Sequence, residues 1–174
     1  GEFYDYDMPA DYYLVEISGI PFGLTNEMLN YETGGNPYRG MVFGMSSRYL
    51  PDAESMWKLW DRFGIEKAAM LGYWDNACPV AAAAPGVKVT CYQKADEALI
   101  AIARWPDEHF PADEVLPVEL SIRPDIFAGF QPEKYELWAP PIKSFQPEAH
   151  FSLTDAIPVA PDKGALLWLR RKDR

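Results

Sequence analysis

The sequence predicts a mainly β chain: an antiparallel β-sandwich preceded by an N-terminal extension that contains one amphipathic helix. Three observations carry this. After Gly64 several short runs alternate apolar and polar residues with period two. Pro and Gly punctuate those runs at the spacing of strand connections. Before Gly64 the texture differs, with two glycine-punctuated apolar runs and one helical stripe, as at the end of an α/β domain. The expected organisation is therefore two units, 1–64 and 65–174, meeting at Gly64.

Taken in order, Phe3 to Tyr13 mixes Asp5, Asp7 and Asp11 with tyrosines and reads as a loop. Leu14 to Ile17 is apolar and β-compatible, and Ser18-Gly19-Ile20-Pro21-Phe22-Gly23 breaks any ladder that follows. Thr25 is placed to cap a short helical turn containing Glu27, Met28 and Leu29. Tyr31 to Pro37 is turn-rich, and Arg39 to Met45 is short and apolar enough for a buried strand. The clearest helix runs from about Ala53 to Phe63. Asp52 suits its N-cap, Met56, Leu59, Trp60 and Phe63 form its apolar stripe, and Gly64 suits the position just past its end. Trp57 and Trp60 read as packing elements.

Beyond Gly64, Val87, Val89 and Cys91 alternate with Lys88, Thr90 and Tyr92. A tight connection through Ala95-Asp96-Glu97 leads into Leu99 to Arg104, as in a hairpin. Ala81 to Ala84, followed by Pro85-Gly86, reads as a loop. Leu116 to Ile122, Tyr135 to Ala139 and Ala165 to Leu169 complete the set, with a basic tail behind the last. Short strands at this spacing suggest a sandwich.

A chain of 174 residues can build one substantial core or two small ones, and 48% apolar composition excludes bulk disorder. Lys and Arg number 16 against 26 Asp and Glu, a net charge of -10. That balance repels nucleic-acid phosphates and anionic membranes, so neither is an expected partner. An acidic surface rich in Tyr and Trp is compatible with neutral ligands such as sugars, although ordinary solubility accounts for the same charge. No apolar run approaches the length of a bilayer span. The compartment stays open; a secreted or periplasmic parent protein is compatible with the sequence. Cys78 and Cys91 fall where they can face one another across adjacent strands, but two buried free thiols are the expected state. His109 and His150 stand apart from any Cys- or His-rich spacing, so no metal and no cofactor are expected.

Four segments carry a resemblance. They are Asp11-Tyr12-Tyr13-Leu14-Val15-Glu16-Ile17-Ser18-Gly19-Ile20-Pro21-Phe22-Gly23, Gly35-Asn36-Pro37-Tyr38-Arg39-Gly40-Met41, Trp57-Lys58-Leu59-Trp60-Asp61-Arg62-Phe63-Gly64-Ile65 and Phe145-Gln146-Pro147-Glu148-Ala149. Together they resemble the C-terminal part of large bacterial glycoside-hydrolase-like proteins, in which a (β/α) barrel is followed by an antiparallel β-sandwich. The resemblance implies that Leu14 to Ile17 and Arg39 to Met45 are the last two barrel-derived strands and Asp52 to Phe63 the closing helix. It also implies that most of the barrel, and with it an intact active site, lies outside this chain.

Glycoside hydrolysis commonly places two carboxylates about one scissile bond. Glu16 interrupts an apolar run and on alternation shares a face with Leu14 and Ser18, inward in a barrel; Asp11 is the nearby second carboxylate. The plainer reading makes Glu16 a structural or substrate-contacting acid and Asp11 a solvated loop residue. Neither Ser46-Ser47 nor the glycines Gly34, Gly35 and Gly40 match a nucleophile turn or a phosphate loop. For sugar binding, strand parity places Tyr92, Trp138 and Trp168 outside the principal core, where rings offer platforms to pyranose faces. The plainer reading covers each with a loop, a helix or another chain. The expected function is a noncatalytic carbohydrate-associated module, glycan-binding or hydrolase-supporting. The alternative is a fragment that retains glycoside hydrolase activity through paired carboxylates. The partners expected are a polysaccharide or oligosaccharide, and the missing barrel domain or a second copy of the chain.

Overall fold

Seven consecutive residues, Ala98–Arg104, form a strand, β7, that is buried at every position. Side chains of a strand alternate between two faces, so burial throughout requires a layer on each side. The structure is a computed structural model. It describes residues 2–4, 9–18, 27–30, 38–49, 54–105, 113–143, 145–161 and 163–173.

Around β7 lies a six-stranded antiparallel sheet. Its other members are β4 (Ala69–Leu71), β6 (Val87–Gln93), β10 (Tyr135–Ala139), β11 (Ala149–Phe151) and β13 (Gly164–Arg171). The strand order is β11-β10-β13-β7-β6-β4. Registers such as Cys91↔Ile100 and Leu99↔Trp168 align like faces across neighbouring strands. One face carries Val89, Cys91, Ile100, Ile102, Leu137 and Leu167. It is covered by two ribbons: β5 (Val80–Ala82) with β9 (Leu120–Ile122), and β8 (Leu116–Val118) with β12 (Ile157–Val159). These layers form the β-sandwich, so the mainly β, antiparallel architecture expected from the sequence is the one observed.

The opposite face carries Tyr92, Leu99, Ala101, Trp138, Leu166 and Trp168. Its cover comes from the N-terminal part. There, three short strands, β1 (Glu2–Tyr4), β2 (Glu27–Asn30) and β3 (Ser46–Tyr49), pair in parallel in the order β1-β2-β3. Parallel strands need crossover connections. The first crossover contains a helical turn, α1 (Ala10–Tyr12), that widens into a π-helical turn at Tyr13–Ile17. The second contains α2 (Arg39–Val42), and α3 (Glu54–Phe63) follows β3. Tyr13, Met41, Val42, Phe43, Met56, Leu59 and Phe63 from these elements bury themselves against the sheet.

This order corrects several expectations. Leu14 to Ile17 and Arg39 to Met45 are not strands: the first is helical, and the second opens with a four-residue helix buried at every position. A short apolar run does not distinguish a strand from a buried helical turn by periodicity. The N-terminal strands lie instead at 2–4, overlapping the start of the expected loop, at 27–30, where a helical turn was expected, and at 46–49. Thr25, Tyr31 to Pro37 and the Asp52 cap fall outside the described residues. Val80–Ala82 is a strand and not part of a loop. Leu116 to Ile122 is two strands broken at Glu119, each paired with a different ribbon partner. Trp57 is exposed and packs little, whereas Trp60 leans on the core and its indole N–H reaches the Met41 sulfur at 3.3 Å.

Two glycines fix the path. Gly64 adopts φ 73, ψ 52, the left-handed conformation that ends α3, and its amide donates to Trp60 O at 2.8 Å. Gly164 opens β13 where a Cβ would collide with the Ile102 backbone and meet Tyr38 Cβ at 2.9 Å. The backbone obstacle cannot swing away as a flexible side chain would. Gly164→Ala is therefore expected to destabilise the chain by about 1–3 kcal/mol in urea unfolding. Gly129→Ala, whose Cβ would meet nothing within 4 Å, is expected to cost less, through backbone strain alone at its φ of 66.

Candidate functional site

Polar and aromatic side chains gather where the N-terminal helices meet the second face of the sheet. Lys94 and Glu97 flank the β6–β7 hairpin connection, closed by Lys94 N donating to Glu97 O at 2.9 Å. Lys94 Nζ donates to the Phe63 carbonyl at 2.5 Å and pairs with Glu97 Oε1 at 2.7 Å. A cation at the end of α3 meets its unpaired carbonyls and the negative end of its dipole. Glu97 Oε2 accepts the Trp168 indole N–H at 2.8 Å, and Phe63 meets Trp168 edge-on at 5.3 Å. Helix end, hairpin and strand β13 thus share one polar seam over an aromatic contact.

The neighbouring indole is held in a similar way. Trp138 Nε1 donates to Glu148 Oε1 at 2.9 Å. The Arg170 guanidinium lies 3.9 Å from the Trp138 ring centroid and that of Arg62, from α3, 5.0 Å. Glu136 receives Arg170 Nε at 3.0 Å and stands 2.9 Å from His150 Nδ1. Burial alone would raise the Glu136 carboxyl. Hydrogen bonds from His150 and Arg170, and their charges, outweigh it and hold the group below the usual carboxylate range.

Further along, the sheet grips α2 directly. Thr90 Oγ1 donates to Val42 O at 2.6 Å, and the Tyr92 hydroxyl donates to Met41 O. Phe43, just after α2, stacks on Tyr13 at 5.6 Å and on Trp74 at 6.4 Å, and meets Trp105 edge-on at 5.7 Å. Burial drives the Tyr38 and Tyr92 hydroxyls far above their ordinary range. Burial, and then the Asp11 carboxylate, push Tyr73 up to about 12.

A cavity of about 230 Å³ opens beside Tyr38, between Phe145 to Pro147 and the walls made by Phe151, Ile157 and Leu167. Gln146 forms its corner. Its side-chain N–H donates to Pro140 O and Leu166 O, both at 2.9 Å, and its oxygen accepts from Leu166 N at 2.9 Å. The Tyr38 hydroxyl donates to Phe145 O at 3.2 Å. The cavity has mainly carbon walls, and among the described residues no group of three His, Cys, Asp or Glu is placed to hold a metal ion.

A parallel strand–helix segment is packed on an antiparallel sandwich, and the two match separate models of one known family. Residues 52–170 match the C-terminal domain of glycoside hydrolase 123, and residues 1–50 match the TIM-barrel domain of the same family. The chain belongs to glycoside hydrolase family 123. No curated protein and no solved structure matches it. Membership of family 123 makes this a carbohydrate-related protein and supports the expected resemblance to the C-terminal region of a glycoside hydrolase.

For a family 123 chain, the sequence-derived site residues are placed as follows. Asp11 lies in α1 and Glu16 in the π-helical turn, both exposed. Glu16 therefore does not point inward from a barrel strand, because its segment is not one. Barrel chemistry gathers beyond the C-terminal ends of strands, here after Tyr4, Asn30 and Tyr49, and the residues that follow each lie outside the described ones. Tyr92, Trp138 and Trp168 share one face of the sheet. They are 6%, 4% and 8% exposed, however, so they lie inside a core and offer no open platform. The residues that sequence reasoning passed over are Thr90, Lys94, Glu97, Glu136 and Gln146. Only Gln146 had a visible signal, inside the Phe145-Gln146-Pro147 motif.

Two outcomes follow for this family 123 seam. Gln146→Leu leaves the Leu166 amide, the Leu166 carbonyl and the Pro140 carbonyl without that partner, and is expected to cost about 2–4 kcal/mol by urea denaturation. The depressed Glu136 carboxyl contributes stability above its ordinary value of 4.5, a contribution lost as pH falls through the lower folded value. The unfolding midpoint of the wild type should therefore fall more steeply below that pH than that of Glu136→Gln; parallel profiles would show that the carboxylate contributes nothing.

Proposed function

We propose that the β-sandwich is a noncatalytic, carbohydrate-associated unit whose task is to support a hydrolase barrel, with the two units of the chain meeting at Gly64. One observation carries this reading. Thr90 and Tyr92, on a strand of the sandwich, bond the Met41 and Val42 carbonyls of α2, a helix in the part matched by the family 123 barrel. Both side chains are buried, so each would leave an unsatisfied polar group if α2 moved away. Support is favoured over glycan binding because the aromatic face that a sugar would need is occupied by α2 and α3. The parallel sheet β1-β2-β3 leaves one edge of β1 and one of β3 unpaired among the described residues. Further barrel strands are the natural partners for those edges, since exposed strand edges invite pairing.

Amide hydrogen exchange tests the clamp. In Thr90→Val and Tyr92→Phe the amides of residues 40–45 should exchange at least several-fold faster than in the wild type, while those of Ala98 to Ala103 keep their protection. Unchanged exchange at residues 40–45 in both variants would remove the support reading. Affinity electrophoresis across a panel of polysaccharides should give no retardation of the wild-type chain; retardation by any polymer would restore glycan binding in its place.

A further inference from the structure

Cys78 precedes β5, in the ribbon layer, and Cys91 lies in β6, on the sheet face that this layer covers. Both residues belong to the same apolar cluster, and both are free thiols. Cys78 sits at the end of a turn fixed by its own amide donating to Asp75 O at 2.9 Å and by Ala77 N donating to Asp75 Oδ1 at 2.8 Å. That turn aims the Cys78 sulfur toward β6. Sγ lies 3.3 Å from Val80 O and 4.0 Å from Val89 O, and Val89 is the same-face neighbour of Cys91. The Cys78 sulfur thus sits against the strand that carries Cys91, on the face from which the Cys91 side chain projects, which is the approach a disulfide requires.

We propose that Cys78 and Cys91 are a redox modification pair, closing to a disulfide that staples the β5–β9 ribbon to the six-stranded sheet. The co-reactant is a small disulfide such as oxidised glutathione. Cys78 is the half-buried thiol and Cys91 the fully buried one, so Cys78 meets the reagent first. Its thiolate attacks one glutathione sulfur, the reagent's S–S bond breaks, and one glutathione thiol leaves. Cys91, as thiolate, then attacks the Cys78 sulfur of the mixed disulfide and expels the second glutathione. The two cysteines lose two protons and two electrons, and the reagent gains both as two thiols. Burial raises both cysteine thiols above their ordinary range, so closure is slow and the bond, once made inside the cluster, is shielded from reductant.

The test uses the wild-type chain equilibrated with oxidised glutathione or with dithiothreitol, then alkylated and digested without reduction. Mass spectrometry should find a peptide pair joined through Cys78 and Cys91, and the oxidised protein should melt roughly 5 °C or more above the reduced one. Cys78→Ser should remove both the linked pair and the shift, and Cys91→Ala serves as a second control that places no hydroxyl in the core. Glutathione retained on Cys78 with Cys91 still alkylatable, both thiols alkylatable after oxidation, or a linked pair that melts lower than the reduced protein would each overturn the proposal.

Discussion

The architecture depends on a sheet that has no solvated face. β7 and the inner part of β13 are buried on both sides, and every strand position there that points away from the ribbons must find cover. Burying a Leu, Ile or Phe side chain fully contributes about 1.5–3 kcal/mol. A face carrying Tyr92, Leu99, Trp138, Leu166 and Trp168 would otherwise be a large exposed apolar patch. The helices α2 and α3 supply the cover, which makes the N-terminal part, whose residues 1–50 match a barrel domain, a structural layer of the sandwich as well. The polar groups then fall at the perimeter of that layer. Each of the two indole N–H groups ends on a carboxylate, Glu148 or Glu97, because a buried donor needs a partner.

How far this was legible in the sequence follows from the same constraint. Period two marked β6 and β10, β7 and β13 read as strands from apolar runs without alternation, and parity set Tyr92, Trp138 and Trp168 on the side away from the principal core. What parity cannot say is whether that face is wet. The clue was in β7: Ala98 to Ala103 contains no polar residue, the pattern of a strand buried on both sides. The N-terminal part was misread in phase, with helices taken as strands and strands as loops or turns. There the runs are only three to five residues long. Strand identity at Glu27–Asn30 and Ser46–Tyr49 is set by parallel partners far away in sequence, not by local alternation. Gly64, in contrast, was legible from both sides, since a left-handed stop needs the one residue without a Cβ.

The Gln146 corner shows how the junction is completed where a strand has to end. β10 pairs with β13 from Tyr135↔Arg171 to Trp138↔Trp168. Continued in that register, the ladder would set Pro140 opposite Leu166, and a proline has no N–H to give. The Gln146 side chain stands in for the missing backbone, giving Leu166 a donor and an acceptor and closing on the Pro140 carbonyl as well. An amide carries the same two groups as a peptide unit, which neither a carboxylate nor an alkyl chain does. The cavity beside Tyr38 lies next to this corner, with Gln146 in its wall. Tyr38 belongs to the barrel-matching part and bonds the same loop through Phe145 O. One proline and one glutamine thus account for the strand ending, and Tyr38 ties the barrel-matching segment to the same loop. The Phe145-Gln146-Pro147 motif, which carried part of the resemblance in the sequence, is in three dimensions one of the contacts between the barrel-matching segment and the sandwich.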